Sequence, residues 1–144
     1  MEPAKPLIAL LPTLRVSTCK AELDLLQLQK LMELTAPWAG GRALEGLEQM
    51  VQASDPVLHL WDGDFLVAFG RATSDSVYRA VLWDVMVHPR YQGKGIGRFL
   101  VTTLLDHPQL RGVEKIYLFT THQQGFYERL GFQKNSSTAL VLVR

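Results

Sequence analysis

Three glycines at alternate positions, Gly93, Gly95 and Gly97, stand among the cations Arg90, Lys94 and Arg98. An apolar run that reads as a strand precedes them, and a run that reads as a helix follows. Glycines here let the backbone turn with positive φ and bring N–H groups close to a ligand. The first N–H groups of the following helix have no intrahelical partner and carry the positive end of its dipole. Together these features make a seat for a phosphate or pyrophosphate. A nucleotide-hydrolase loop requires G-x-x-x-x-G-K-[ST], and the residue five after Gly93 is Arg98, so that pattern fails. The dinucleotide fingerprint G-x-G-x-x-G fails as well, because the third glycine comes one residue early and the loop lies late in the chain.

The anion seat is local, because the chain as a whole is balanced. Lys and Arg number 15 against 14 Asp and Glu, which argues against a dedicated nucleic-acid binder. The 144 residues, 47% hydrophobic, suit a single domain over 1–144 that needs neither metal nor disulfide to fold. Cys19 is the lone cysteine, and it points to a reducing compartment and a small packed side chain. The apolar run Leu7 to Leu11 is too short to span a membrane and lacks signal-peptide flanks. A cytoplasmic protein is expected, and a plastid location after removal of a transit peptide is also compatible. His59, His88, His107 and His122 match no metal-ligand spacing, so no metal is expected. His122 is kept only as a secondary base.

The elements that must position the loop follow from hydrophobic periodicity. Residues 1–12 read as a loose arm and 13–18 as a short strand. A helix is predicted over 20–34, with Leu23, Leu26, Lys30 and Leu34 on one stripe, widened by Leu25, Leu28 and Met32. The stretch 35–42, with Pro37 and Gly40-Gly41, breaks it before a second helix over 43–51. Strands at 57–61 and 64–72 join across Asp62-Gly63, a hairpin signal. The longest strand, 78–88, feeds the glycine loop, whose helix ends near Asp106. A strand over 113–120 follows, then a helix over 123–130 capped by Gly131, and a final strand over 137–143. The order β-α-α-β-β-β-α-β-α-β describes an α/β (α+β) domain, its mostly antiparallel sheet holding one internal β-α-β unit.

Gln92-Gly93-Lys94-Gly95-Ile96-Gly97, preceded by a V-x-P-x-Y run from Val87 to Tyr91, resembles the acyl-CoA loop of the GNAT superfamily, the Gcn5-related N-acetyltransferases. The family's second landmark, a tyrosine in a short helix ending LGF, stands as "FYERLGF" over 126–132. Element order is similar along nearly the whole chain. The resemblance implies the acyl-CoA N-acyltransferase fold, acetyl-CoA as co-substrate and an amine acceptor. It implies that backbone groups of Val85, Met86 and Val87 meet the pantetheine arm between two splayed parallel strands. Backbone N–H groups around Gln92, Gly93, Lys94, Gly95, Ile96, Gly97 and Arg98 would take the pyrophosphate, with Phe126 and Tyr127 at the thioester end. Thr120 stands where many members carry an asparagine for the pantetheine. The stretch "LWDVMVHPRYQGKGIG" is most similar to plant and cyanobacterial members that include arylalkylamine (serotonin) acetyltransferases.

Acetyl transfer to an amine poses two proton problems. The ammonium must lose a proton before attack, and the departing thiolate must gain one. A tyrosine pKa near ~10 lets neutral Tyr127 donate at pH 7. Asp84, inside the otherwise apolar "VLWDVMV", either accepts the amine's proton or pairs across the sheet with Arg71 or Arg79. Trp38, in the loop between the first two helices, would favour an arylalkyl or apolar amine. Three activities fit: acetylation of a small amine, acetylation of a protein N-terminus or lysine, and acyl-CoA sensing without catalysis. No nucleic-acid or membrane partner is expected. The last strand either completes the monomer's sheet or meets a partner's edge, so monomer and homodimer both remain open.

Overall fold

Strand pairing builds the fold around one five-stranded sheet in the order β1-β2-β3-β4-β5, seen in a computed structural model whose described residues are 14–144. The expected N-terminal arm, the run Leu7 to Leu11 and the first residue of the expected 13–18 strand lie outside them. The strands are β1 (Leu14–Ser17), β2 (Val57–Asp62), β3 (Phe65–Ser74), β4 (Arg79–Val87) and β5 (Lys115–Tyr117). The helices are α1 (Leu25–Thr35), α2 (Leu44–Gln52), α3 (Ile96–Asp106) and α4 (Gln124–Glu128). Neighbours from β1 to β4 run antiparallel, and β4 pairs with β5 in parallel. The mixed, mostly antiparallel architecture expected from the sequence is therefore the one observed. The parallel pair requires a crossover, and α3 supplies it.

Two apolar layers hold the sheet. On one face, Ile96, Leu100, Val101 and Leu104 of α3 pack against Ala68, Ala72, Ala80 and Leu82. Small residues on β3 let α3 sit close: a Cβ on Gly70 would lie 3.0 Å from a Leu104 methyl. On the other face, Leu28, Leu31 and Met32 of α1 and Leu47 and Val51 of α2 cover Val57, Trp61, Leu66, Phe69 and Met86. Each fully buried side chain of this size is worth about 1.5–3 kcal/mol, so α3 and the α1–α2 pair are each fixed by several such contributions. Among the described residues, no helix is long and apolar enough to cross a membrane.

Three readings of the sequence are corrected. The helix expected over 20–34 begins at Leu25; Lys20–Glu22 form a single 3₁₀ turn. Asp24 separates the two, accepting hydrogen bonds from the N–H groups of Leu26 and Gln27 as an N-cap. Starting there turns Leu26 and Leu34 to solvent and buries Leu31 instead. The first hairpin turns at Gly63 and Asp64, because Asp62 already pairs with Phe65. Residues 137–143 form no strand, since no described strand pairs with them, and Leu140, Val141, Leu142 and Val143 stand in solvent.

Candidate active site

The parallel pair opens into a cleft. Its register is Arg79↔Lys115, Ala80↔Ile116 and Val81↔Tyr117, and there the pairing ends. β4 continues to Val87, whereas β5 stops at Tyr117, short of the expected 113–120. The strands diverge, so Leu118, Phe119 and Thr120 are out of reach of the β4 ladder. The β5-side edge of β4 from Leu82 to Val87 thus has no strand beside it among the described residues. Val85, Met86 and Val87 lie on this stretch. The Met86 side chain is buried under α1 and α2, which leaves its backbone to face the cleft edge. Backbone donors and acceptors left unpaired on such an edge accept an extended ligand as they would a strand.

A bulge sets Asp84 apart from its neighbours. Phe69 pairs with Met86 and Arg71 with Trp83, so Gly70 faces both Asp84 and Val85. Asp84 takes φ 52°, a left-handed conformation that aspartate tolerates better than most residues. The extra residue breaks the strand alternation and swings the carboxylate to the α2 face. There Arg71 Nε donates to Asp84 Oδ2 at 2.7 Å, with side-chain exposures of 14% and 6%. Arg71 also donates to Ser54 Oγ at 3.2 Å, and its guanidinium lies over the Trp83 ring. Arg42, just ahead of α2, approaches the same Oδ2 at 3.7 Å. Of the two partners left open by the sequence, Arg71 is the one found, while Arg79 pairs with Glu114. Asp84 Oδ1 receives no hydrogen bond among the described residues and stays available.

An open cleft of about 350 Å³ lies beside this network, lined by Arg42, Ala43, Gly46, Met50 and Arg71. At its β4 side, Trp83 donates to Thr73 Oγ1 and stacks on Phe119 with ring centroids 5.7 Å apart. Phe119 went unnoticed in the sequence, because it lies past the point where β5 stops pairing. Trp38 is 74% exposed on its 3₁₀ turn and is not among the lining residues.

The glycine loop is braced before it begins. Gln92 Nε2 donates to the Val87 carbonyl at 2.9 Å, and the Tyr91 hydroxyl donates to Asp62 Oδ2 at 2.7 Å. Gln92 therefore ties the loop to the end of β4 through its side chain. Gly93 and Gly95 take φ 78° and 84°, conformations in which a Cβ is strained, and Gly95 is the N-cap of α3. No side chain caps α3, so its first N–H groups point free into the loop. Ile96 is buried in the core and offers only its backbone there. Arg90, Lys94 and Arg98 are exposed, and among the described residues none forms an ion pair. Dipole, free N–H groups and unpaired cations converge on one spot.

Opposite the loop stands α4. A Cβ on Gly97 would lie 3.5 Å from the Phe126 ring and 3.9 Å from a Val87 methyl, so Phe126 spans the cleft mouth. Tyr127 sits edge-on to Phe126 and Phe132. Burial pushes its phenol above the usual tyrosine value, which keeps the proton on. Its hydroxyl makes no hydrogen bond among the described residues. Gly131, at φ 101°, ends the segment: its N–H donates to the Glu128 carbonyl and that of Phe132 to the Tyr127 carbonyl, as expected for a glycine cap. Thr120 Oγ accepts from the Gln123 N–H at 3.0 Å, so this oxygen caps the turn into α4 and its hydroxyl proton remains free to donate.

No histidine hydrogen-bonds Asp84 or Tyr127 among the described residues. His59 is buried, accepting from Trp61 Nε1 at Nδ1 and bonding the Cys19 carbonyl through Nε2. His88 Nδ1 accepts from the Arg90 N–H, and His122 is exposed. Among the described residues no three His, Cys, Asp or Glu side chains gather as a metal set would.

Residues 25–132 match the model of the Acetyltransferase (GNAT) family. The chain is 41% identical over 69 residues to the uncharacterized N-acetyltransferase ycf52 of Gracilaria tenuistipitata var. liui, covering 47% of this chain and 38% of that protein. It is 33% identical over 101 residues to the ycf52-like protein of Prochlorococcus marinus, covering 67% of this chain and 55% of that one. The chain thus spans roughly half or less of the length of these relatives. Its fold is similar to the crystal structure of a GNAT-family protein from Xanthomonas campestris pv. campestris. The TM-score is 0.79 at 29% identity, over 90% of this chain and 93% of that one.

Proposed function

This chain belongs to the GNAT acetyltransferase family, and from that premise we propose that it moves the acetyl group of acetyl-CoA to a primary amine of a small molecule. The observation that carries this reading is the opening between β4 and β5, with the free N–H groups of α3 and the Phe126–Tyr127 pair of α4 beside it. The thioester supplies an activated acyl carbon. The unpaired edge at Val85–Val87 holds the extended arm. The backbone of Gly93–Arg98, with Lys94 and Arg98, neutralises the pyrophosphate. Phe126 closes the mouth and keeps water from the acyl group.

The amine nitrogen bonds to the acyl carbon, and the carbon–sulfur bond breaks. Asp84 Oδ1, free of hydrogen bonds, attracts the incoming ammonium and takes its proton, directly or through water. Arg71 positions that carboxylate. Tyr127 returns a proton to the leaving sulfur, a step worth on the order of 10²–10⁴ in rate.

The finer reading is an arylalkylamine acceptor, supported by the stacked Trp83 and Phe119 rings beside Asp84. The test follows CoA thiol release from acetyl-CoA against arylalkylamines, polyamines, aminoglycosides and peptides. Turnover is expected with small amines, fastest with aromatic ones. Peptides as the only substrates would overturn the small-molecule reading, and CoA binding without any turnover would overturn catalysis.

A further inference from the structure

The cleft beside Asp84 holds more positive charge than one carboxylate can match. Arg42 and Arg71 both line it, and no acidic residue does. Arg71 directs Nε to Asp84 and Nη1 to Ser54, while its Nη2 makes no hydrogen bond among the described residues. Arg42 is less committed still. It lies 3.7 Å from Asp84 Oδ2, and its hydrogen bond runs from Nη1 to the Met50 sulfur, a weak acceptor. Its Nε and Nη2 make none among the described residues. Two guanidinium groups against one carboxylate leave this wall one positive charge in excess.

Both cations are held from behind. Gln29 Nε2 of α1 donates to the Arg42 carbonyl at 2.9 Å, fixing the backbone just ahead of α2. Ser54 is fully buried and donates to the Met50 carbonyl while accepting from Arg71, so the end of α2 braces the second guanidinium. Beside Arg42 the wall is cut back: Ala43 and Gly46 line the cleft, and a Cβ on Gly46 would meet nothing within 4 Å. A guanidinium with free N–H groups pairs carboxylates through two parallel bonds, so this corner is built to take an anion.

We propose that the acceptor is an α-amino acid, its carboxylate held by Arg42 and Arg71 while its amine meets Asp84. The assignment rests on the amine-acetyltransferase reading and narrows its substrate. In an α-amino acid a single carbon joins amine and carboxylate, so its two charges are close neighbours. The wall presents their complements equally close, a guanidinium 3.7 Å from a carboxylate oxygen. An amine without an anion would bring its ammonium against the excess positive charge, which opposes binding. The Trp83–Phe119 stack on the β4 side of the cleft receives an aromatic side chain. The nitrogen bonds to the acyl carbon and the carbon–sulfur bond breaks. Asp84 takes the amine's proton, Tyr127 returns one to sulfur, and the products are an N-acetyl amino acid and CoA.

Acceptors that differ only beside the amine test this in the thiol-release assay. They are phenylalanine and leucine, their amides, their decarboxylated amines and their phosphonate analogues. For the unaltered protein, kcat/KM with the amino acids is expected to exceed that with the amides and plain amines by about 10–100-fold, as for one charge-assisted hydrogen-bonded pair. In Arg42→Gln that ratio is expected to fall about tenfold or more, and in Arg42→Lys to recover in part. A ratio taken within one variant does not depend on how much of that variant is folded. Amides or plain amines used as well as the amino acids, a ratio unmoved by Arg42→Gln, or phosphonates preferred to carboxylates would each overturn the assignment. If no amine of any kind turns over, the transfer reading fails by itself, and calorimetry on the CoA-loaded protein decides the anion seat. Amino acids binding about tenfold or more tighter than their plain amines would sustain it, and equal, weaker or no binding would overturn it.

Discussion

Replacing Asp84 by Asn, Gly and Ala separates what its charge does from what its backbone does. The Arg71–Asp84 bond is 2.7 Å long between side chains that are 14% and 6% exposed. Removing one partner of a buried pair costs about 3–5 kcal/mol. Arg71 keeps its bond to Ser54 and its place over Trp83, which sets this case near the lower end, at about 3 kcal/mol. The φ of 52° adds a second effect, because a Cβ in the left-handed region costs roughly 1–2 kcal/mol and glycine avoids it. Aspartate already carries that Cβ, so Asp84→Ala should lose about 3 kcal/mol for the pair alone, Asp84→Gly about 1–2 because it also relieves the strain, and Asp84→Asn, which keeps an acceptor, about 1–2. In urea, with a slope of about 1.5 kcal/mol per molar, the alanine variant unfolds roughly 2 M earlier. In the thiol-release assay, Asp84→Asn should lower kcat by on the order of 10²–10⁴ if the carboxylate takes the proton. An alanine variant within about 1 kcal/mol of the unaltered protein would refute the buried pair. A glycine variant less stable than alanine would refute the backbone argument.

Other predictions follow from the same geometry. Tyr127→Phe should lower kcat by on the order of 10²–10⁴ and leave the melting temperature and acetyl-CoA binding nearly unchanged, because its hydroxyl bonds nothing in the described protein. As burial raises the Tyr127 pKa, the phenol stays protonated, so this group should cause no fall in kcat up to about pH 10. Gly95→Val forces a branched side chain to φ 84°; it should raise the KM for acetyl-CoA about tenfold or more by disturbing the free N–H groups, read from initial rates. Burial lowers the His59 pKa, so below about pH 6.5 the unfolded chain binds a proton that the native one refuses. Its contribution to stability is thus complete above that pH and is lost on acidification at up to about 1.4 kcal/mol per pH unit, measurable by urea unfolding at pH 7 and pH 5.5.

What the sequence revealed was mostly local. Gly93, Gly95 and Gly131 were legible because left-handed turns demand glycine at fixed offsets from a helix end. Asp62-Gly63 announced its hairpin for the same reason, one residue ahead of the turn. The α1 start was also encoded, in Asp24 followed by Gln27, but an uninterrupted leucine pattern masked it. The Asp84 bulge was not legible, since it arises from two residues on β4 meeting one on β3, a mismatch that neither strand carries alone. Asp84 in an apolar run was visible as an oddity and Arg71 as one of its two candidate partners, and only the bulge shows why they meet. For 137–143 the apolar pattern told of strand propensity, while the partner a strand needs lies outside any local signal.

The account's central claim is that one ligand runs from the N-terminus of α3 along the unpaired edge of β4 to Tyr127. Hydrogen exchange with and without acetyl-CoA tests this most directly. Protection should appear together on Gly93–Arg98 and Val85–Val87 and around Phe126–Tyr127, with the α1 and α2 core unchanged. Acetyl-CoA binding that leaves the amides of Gly93–Arg98 exchanging at their original rates would contradict it.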